Sequence, residues 1–161
     1  MSDELDRLLA EREITRILLQ YARGVDTLDF ERVRDCFHPD ARIEYGETFA
    51  GNRDETIAWL QSALPRLQGT LHAFSPPWIE LDLESGTAEC ETRSVNSALY
   101  PAEEDGSANQ NVSGTLYYDR FERRDGRWRL VFRRNAQAWR VNVTDVPDPV
   151  PPIEAGIDRV R

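Results

Sequence analysis

Near Thr70 the apolar residues of this chain change their spacing, from every third or fourth position to every second one. A helix repeats a face every 3.6 residues and a strand every two, so the switch divides the chain into a helical first part and a sheet-forming second part. In the first part Leu5, Leu8, Leu9, Ile14, Ile17, Leu18, Tyr21 and Ala22 recur at helical spacing and predict an amphipathic helix over Ser2–Arg23, with Ser2 or Asp3 placed to cap it. Asp29 starts a short second helix carrying Phe30, Val33 and Phe37, which Pro39 ends. Ala41–Tyr45 alternates like a strand, and Asn52–Leu64 reads as a third helix stopping near Pro65.

Beyond the switch, Leu71–Phe74, Trp78–Leu83, Thr87–Tyr100, Gln110–Arg124 and Arg127–Trp139 all read as strands. Turns at Glu84-Ser85-Gly86 and Arg124-Asp125-Gly126 join two of the pairs, and Asp-Gly is a strong hairpin signal. Helices first and a meander afterwards indicate an α+β fold. Three helices can cover one face of a strongly curved sheet, and a cone of that kind encloses a natural ligand pocket. The 161 residues suit one domain, 1–143, followed by a proline-rich tail over 144–161 that reads as an extended arm or a disordered end.

Charge and composition exclude several functions. A formal charge of −9 disfavours nucleic acid and anionic membrane surfaces, both of which select basic proteins. All 20 basic residues are Arg, which removes Schiff-base chemistry and the phosphate-loop lysine. No Gly-rich dinucleotide loop and no Gly-x-Ser-x-Gly nucleophile elbow is present. Two isolated histidines give no ligand pair, so neither metal nor cofactor is expected. Cys36 and Cys90 lie in apolar-periodic segments and read as small hydrophobes of a reduced, cytoplasmic protein.

Three polar residues fall where a purely structural chain would prefer apolar ones. His72, in Thr70-Leu-His-Ala-Phe74, shares a strand face with Phe74. Asp26 follows Leu18 and Ala22 at four-residue steps, so a helix continuing through Gly24 would set it on the shoulder of the apolar stripe. Arg134 shares by alternation the face of Trp128, Leu130 and Phe132, and a guanidinium there must be paired or face a polar cavity. Each has a plainer alternative: a satisfied core histidine, a turn-capping aspartate, and a strand that bulges and turns Arg134 outward. His38, in a helix-to-strand turn, reads as an exposed loop residue. An Asp–His pair makes a competent base, because the carboxylate fixes the imidazole tautomer and stabilises the imidazolium. Ordinary imidazoles titrate near pH ~6.5, which suits proton transfer at neutral pH. Arg134 could stabilise charge on a departing or enolic oxygen, and Tyr21 and Tyr45 could hydrogen-bond at the pocket wall. Trp59, Phe74, Tyr100, Tyr117 and Phe132 are the further candidates for substrate contact.

The ordered set "YARGVDTLDFERVRDCFHPDARIEYG", "TLHAF" and "FERRDGRWRLVFRRNAQAW" resembles the SnoaL-like group of the nuclear-transport-factor-2-like superfamily, and within it the scytalone dehydratase, bile acid 7α-dehydratase and hexachlorocyclohexane dehydrochlorinase branches. The likeness runs from about Asp3 to Trp139. It implies a cone-shaped α+β barrel, a mixed sheet around a deep pocket, in which Asp26 and His72 form the dyad that drives elimination. Tyr45 and Tyr21 match pocket tyrosines, and Arg134 matches an arginine of two branches. Where scytalone dehydratase has a second pocket histidine this chain has Asn96 and Ser97, and its pocket asparagine is replaced near Tyr117, so scytalone itself is not the expected substrate.

The combined expectation is a cofactor-independent, dehydratase-like lyase acting on a small hydrophobic cyclic substrate such as a steroid, polyketide or aromatic derivative. An isomerase or cyclase using the same base is the first alternative, and a non-catalytic ligand-binding or accessory protein the second. An open curved sheet leaves a face that relatives bury, so a homodimer or homotrimer is expected.

Overall fold

The computed structural model describes residues 2–101 and 109–144. Helix α1 spans Ser2–Asp26, α2 Phe30–Asp35 and α3 Arg53–Ala63, with a single 3₁₀ turn over Leu64–Arg66. The strands are β1 Phe37–Tyr45, β2 Phe49–Asn52, β3 Gly69–Phe74, β4 Trp78–Asp82, β5 Thr87–Leu99, β6 Gln110–Arg124 and β7 Arg127–Val143. They form one mixed sheet in the order β2-β1-β7-β6-β5-β3, with β4 also pairing β5. Every pairing is antiparallel except β1 with β7. The fold is thus α+β and cone-like, but its sheet is unclosed. The core lies between the helices and the inner sheet face, built from Ile14, Leu18, Val33, Phe37, Ile43, Ile57, Phe121 and Leu130.

The first helix runs past Gly24 rather than stopping at it. Gly24 is there for packing: a Cβ would lie 2.7 Å from Val33 Cγ2 and 3.1 Å from the Asp29 carbonyl, so only glycine lets α2 come this close. The stop falls later. Leu28 takes the left-handed conformation (φ 56°), Leu28 N–H donates to the Val25 carbonyl and Asp29 N–H to the Gly24 carbonyl. This is the Schellman pattern with leucine where glycine is usual. Asp29 then accepts from Arg32 N–H and caps α2. In α3 the Asn52 and Glu55 side chains exchange bonds with each other's backbone N–H in a capping box.

Both hairpin turns occur as expected, with Asp125 (φ 52°) and Gly126 (φ 77°) in left-handed geometry. Strand β2 and the 3₁₀ turn carry too few residues to show a period. β1 begins at Phe37 and includes Pro39. His38 is therefore buried in a strand rather than exposed in a loop, with its Nε2 3.0 Å from the Glu122 carbonyl. Two bulges interrupt β7. Phe121 pairs with Leu130 while Arg120 pairs with Phe132, making Val131 the extra residue, and Thr115 pairs with Gln137 while Gly114 pairs with Trp139, making Ala138 the second. Each extra residue reverses which side chains face inward. The expected tail from 144 lies, beyond Thr144, outside the described residues.

Candidate active site

Asp26 sits on the last turn of α1, where its charge meets the negative end of the helix dipole. Two hydrogen bonds from one residue offset that cost. His72 backbone N–H donates to Asp26 Oδ2 at 2.8 Å, and the His72 ring stands with Nδ1 2.6 Å from Oδ1. A carboxylate only accepts, so Nδ1 carries a proton, and in the neutral ring Nε2 is the basic nitrogen. Both side chains are largely enclosed, at 13% and 15% exposure, and His72 forms part of a cavity wall.

That cavity, of about 460 Å³, opens between α1, α3 and the inner face of β3, β5, β6 and β7. Its apolar side is Val25, Trp59, Leu60 and Leu64, and Trp59 stacks on Tyr45 at 5.3 Å between ring centroids. Tyr21 and Tyr45 bring their hydroxyls to 2.6 Å of each other. Burial raises both above the ordinary tyrosine value, and so it does Tyr117. These phenols therefore stay protonated. They can donate a hydrogen bond but cannot act as bases.

Behind the tyrosines lies an ion pair closed to solvent. Arg133 Nε and Nη2 donate to the two carboxylate oxygens of Asp119 at 2.8 and 2.7 Å, with both side chains at 0% exposure. The guanidinium lies 4.1 Å from the Tyr21 ring centroid and 4.7 Å from that of Tyr117. Burial opposes the Arg133 charge, but the Asp119 carboxylate outweighs it and holds the guanidinium protonated well above its ordinary range. Among the described residues its Nη1 finds no hydrogen-bond acceptor.

Arg134, expected on the inner face, does not reach the cavity. The Val131 bulge turns Arg134 and Phe132 to the outer face: Arg134 is exposed and bonds Glu44 Oε2 through Nε (2.8 Å) and Nη2 (2.7 Å), and it also covers the Phe132 ring. The alternative of an outward turn is the one realised, and neither residue lines the cavity. Tyr100 lies beyond the end of β5, 46% exposed and outside the lining as well. Tyr21, Tyr45, Trp59, His72 and Tyr117 do line it, and Phe74 packs behind, 5.1 Å from the Tyr117 ring. Strand alternation alone could not reveal Arg133 or Arg140, because the two bulges of β7 set their direction, whereas Asp119 shares the inner face of Tyr117 and Phe121 by plain alternation along β6. Among the described residues no three His, Cys, Asp or Glu side chains converge as a metal site. Nor is any described helix long and apolar enough to cross a membrane.

An open mixed sheet wrapped by three early helices, with its polar groups gathered inside, is a cone-shaped α+β fold of the cystatin-like kind. Residues 6–134 match the model of the SnoaL-like domain, and the chain belongs to that family. Among solved structures, a scytalone dehydratase-like protein from Novosphingobium aromaticivorans is 21% identical with a TM-score of 0.75, each chain covered completely. LinA is 18% identical with a TM-score of 0.80, covering 94% of this chain and 100% of its own. A hexachlorocyclohexane dehydrochlorinase, LinA-type3 from Novosphingobium barchaimii, is 18% identical with a TM-score of 0.78 over 92% of this chain and 99% of its own. At such identities these likenesses establish the fold alone. A comparison with curated proteins gives no match.

Proposed function

We propose that this chain is a cofactor-independent, dehydratase-like lyase that removes a proton from a small cyclic molecule such as a steroid, polyketide or aromatic derivative. The observation carrying the reading is the His72–Asp26 contact at the cavity wall, with Nδ1–H committed to the carboxylate and Nε2 free. Nε2 takes a proton from carbon beside an activating group, and Asp26 balances the imidazolium. The released electron pair forms a double bond and expels the group on the neighbouring carbon. A leaving hydroxide takes the abstracted proton back from the His72 imidazolium, which restores the base, and departs as water. The Tyr21–Tyr45 hydroxyl pair can donate a hydrogen bond to a substrate oxygen without giving up its proton. Arg133, shielded from the cavity, acts as a positioning residue whose charge makes the phenols better donors. A positioned base of this kind contributes roughly 10²–10⁴ in rate.

Two neighbours whose names denote eliminating enzymes support this direction. The decisive experiment follows solvent deuterium into a cyclic ketone probe and the mass of the product. His72→Ala should abolish exchange and turnover while its melting curve stays native, and full activity in that variant would end the proposal. A product of unchanged mass would make the enzyme an isomerase instead.

The outer sheet face exposes Leu71, Val95, Trp139 and Val141, a patch of the kind that monomers seldom leave to water. We therefore propose a homodimer or homotrimer, which sedimentation velocity would reject by giving a monomer mass.

A further inference from the structure

We infer that the molecule taken up by this cavity carries an anionic group, of carboxylate type, at the end remote from the abstracted proton, and that Arg140 receives it. The inference rests on the cavity being the substrate site and adds the class of substrate. Its basis is a single cross-strand row. His72 pairs with Asn96, Asn96 with Ser113, and Ser113 with Arg140, so these four residues cross β3, β5, β6 and β7 side by side. All four line the cavity.

Arg140 reaches the inner face only through the Ala138 bulge. Uninterrupted alternation from Arg133 would have put Trp139 inside. Instead Trp139 turns out over Gly114, where a Cβ would come within 2.2 Å of its Nε1. Arg140 is the one arginine among the lining residues, and no described carboxylate lies within ion-pair distance of it. Glu47 shares the cavity without pairing with it and would repel an anion placed elsewhere on the rim. Between the two ends, Asn96 Nδ2 donates to Thr115 Oγ1 (3.2 Å) and Tyr117 OH (3.5 Å), while Asn96 Oδ1 is buried without a donor among the described residues. That oxygen suits a ligand hydroxyl. Three strand spacings of about 4.8 Å separate the row's ends by roughly 14 Å at the backbone, a span that inward side chains shorten. Two fused rings with a hydroxyl and a terminal carboxylate match it better than one small ring.

The test compares 6-hydroxy-2-naphthoate with its methyl ester by titration calorimetry at low salt. The wild-type chain should bind the acid about tenfold more tightly, consistent with one charge-assisted contact. Arg140→Gln should bring the two within about twofold, with native melting because the side chain is exposed. His72→Asn should keep the preference, since that variant disables the proposed base without touching the anion site. Equal binding of acid and ester by the wild type, no binding of either at millimolar concentration, or a preference that survives Arg140→Gln would overturn the inference. Failure of the elimination reading registers separately, in the deuterium-exchange experiment with His72→Ala.

Discussion

Asp119 and Arg133, facing each other across β6 and β7, form a two-pronged ion pair entirely shut off from water and roofed by the rings of Tyr21 and Tyr117. Dismantling half of such a pair leaves an uncompensated charge inside, at a cost of about 3–5 kcal/mol. Asp119→Ala should therefore lower the urea-unfolding free energy by that order. Arg134→Ala, which removes an exposed pair with Glu44 and the cover over the Phe132 ring, should leave the urea midpoint close to that of the wild type and turnover unchanged.

Asp26→Asn should separate orientation from folding. The asparagine oxygen can still accept His72 N–H, but its amide must then donate to Nδ1, which drives the ring proton to Nε2 and masks the base. The expected result is a fall in kcat of roughly 10²–10⁴ with KM little changed. Steady-state kinetics beside thermal melting checks it, and equal losses in both parameters would speak for a collapsed site.

Either tyrosine of the hydroxyl pair should prove hard to trim alone. Tyr21→Phe or Tyr45→Phe strands the remaining buried hydroxyl, at about 1–3 kcal/mol. The double variant should cost less than the sum of the singles, which a double-mutant cycle in urea measures.

Gly24→Ala runs against helix propensity. Alanine normally favours a helix interior over glycine by about 1 kcal/mol, yet here its methyl meets Val33 and the Asp29 carbonyl. Unfolding should show a net loss of about 1–3 kcal/mol from overpacking, and the displaced α1 end should slow turnover through Asp26.

Alkali should destabilise the fold, whereas neutral pH leaves the contribution of its buried thiols and phenols intact. Burial pushes Cys36 and Cys90 from 9.0 up to about 12 and raises Tyr21, Tyr45 and Tyr117 above 10.0. In the unfolded chain these groups lose protons first, so their contribution is complete below pH 9.0 and drains away as pH rises towards about 12. Each titrating group adds a slope of about −1.4 kcal/mol per pH unit. Urea midpoints measured at increasing pH should fall across that window, with both thiols unreactive towards a disulfide reagent until the chain unfolds.

Periodicity carried much of this in advance. The helix-to-sheet order, the Asp-Gly hairpin and the Asp29 cap follow from local chemistry alone, whereas spacing leaves Asp26 and His72 as separate candidates and only the family resemblance implies that they meet. Failures occurred where one residue breaks the period. Val131 and Ala138 look like ordinary strand residues, so Arg134 seemed interior and Arg140 unremarkable. Gly24 resembled a helix stop because close approach by α2 is a tertiary fact. The buried setting of His38 likewise depends on a carbonyl 84 positions away in sequence.

The two irregularities in β7 give this architecture an unusual route to new chemistry. Losing one residue at Ala138 would restore the Trp139 indole to the interior and send Arg140 outward, while the neighbouring strand kept its own hydrogen-bonding partners up to that point. A one-codon gain or loss could therefore exchange a charged wall for an aromatic one in a single event. Such a length change would alter what the cavity accepts while the rest of the sheet and its helices stayed undisturbed.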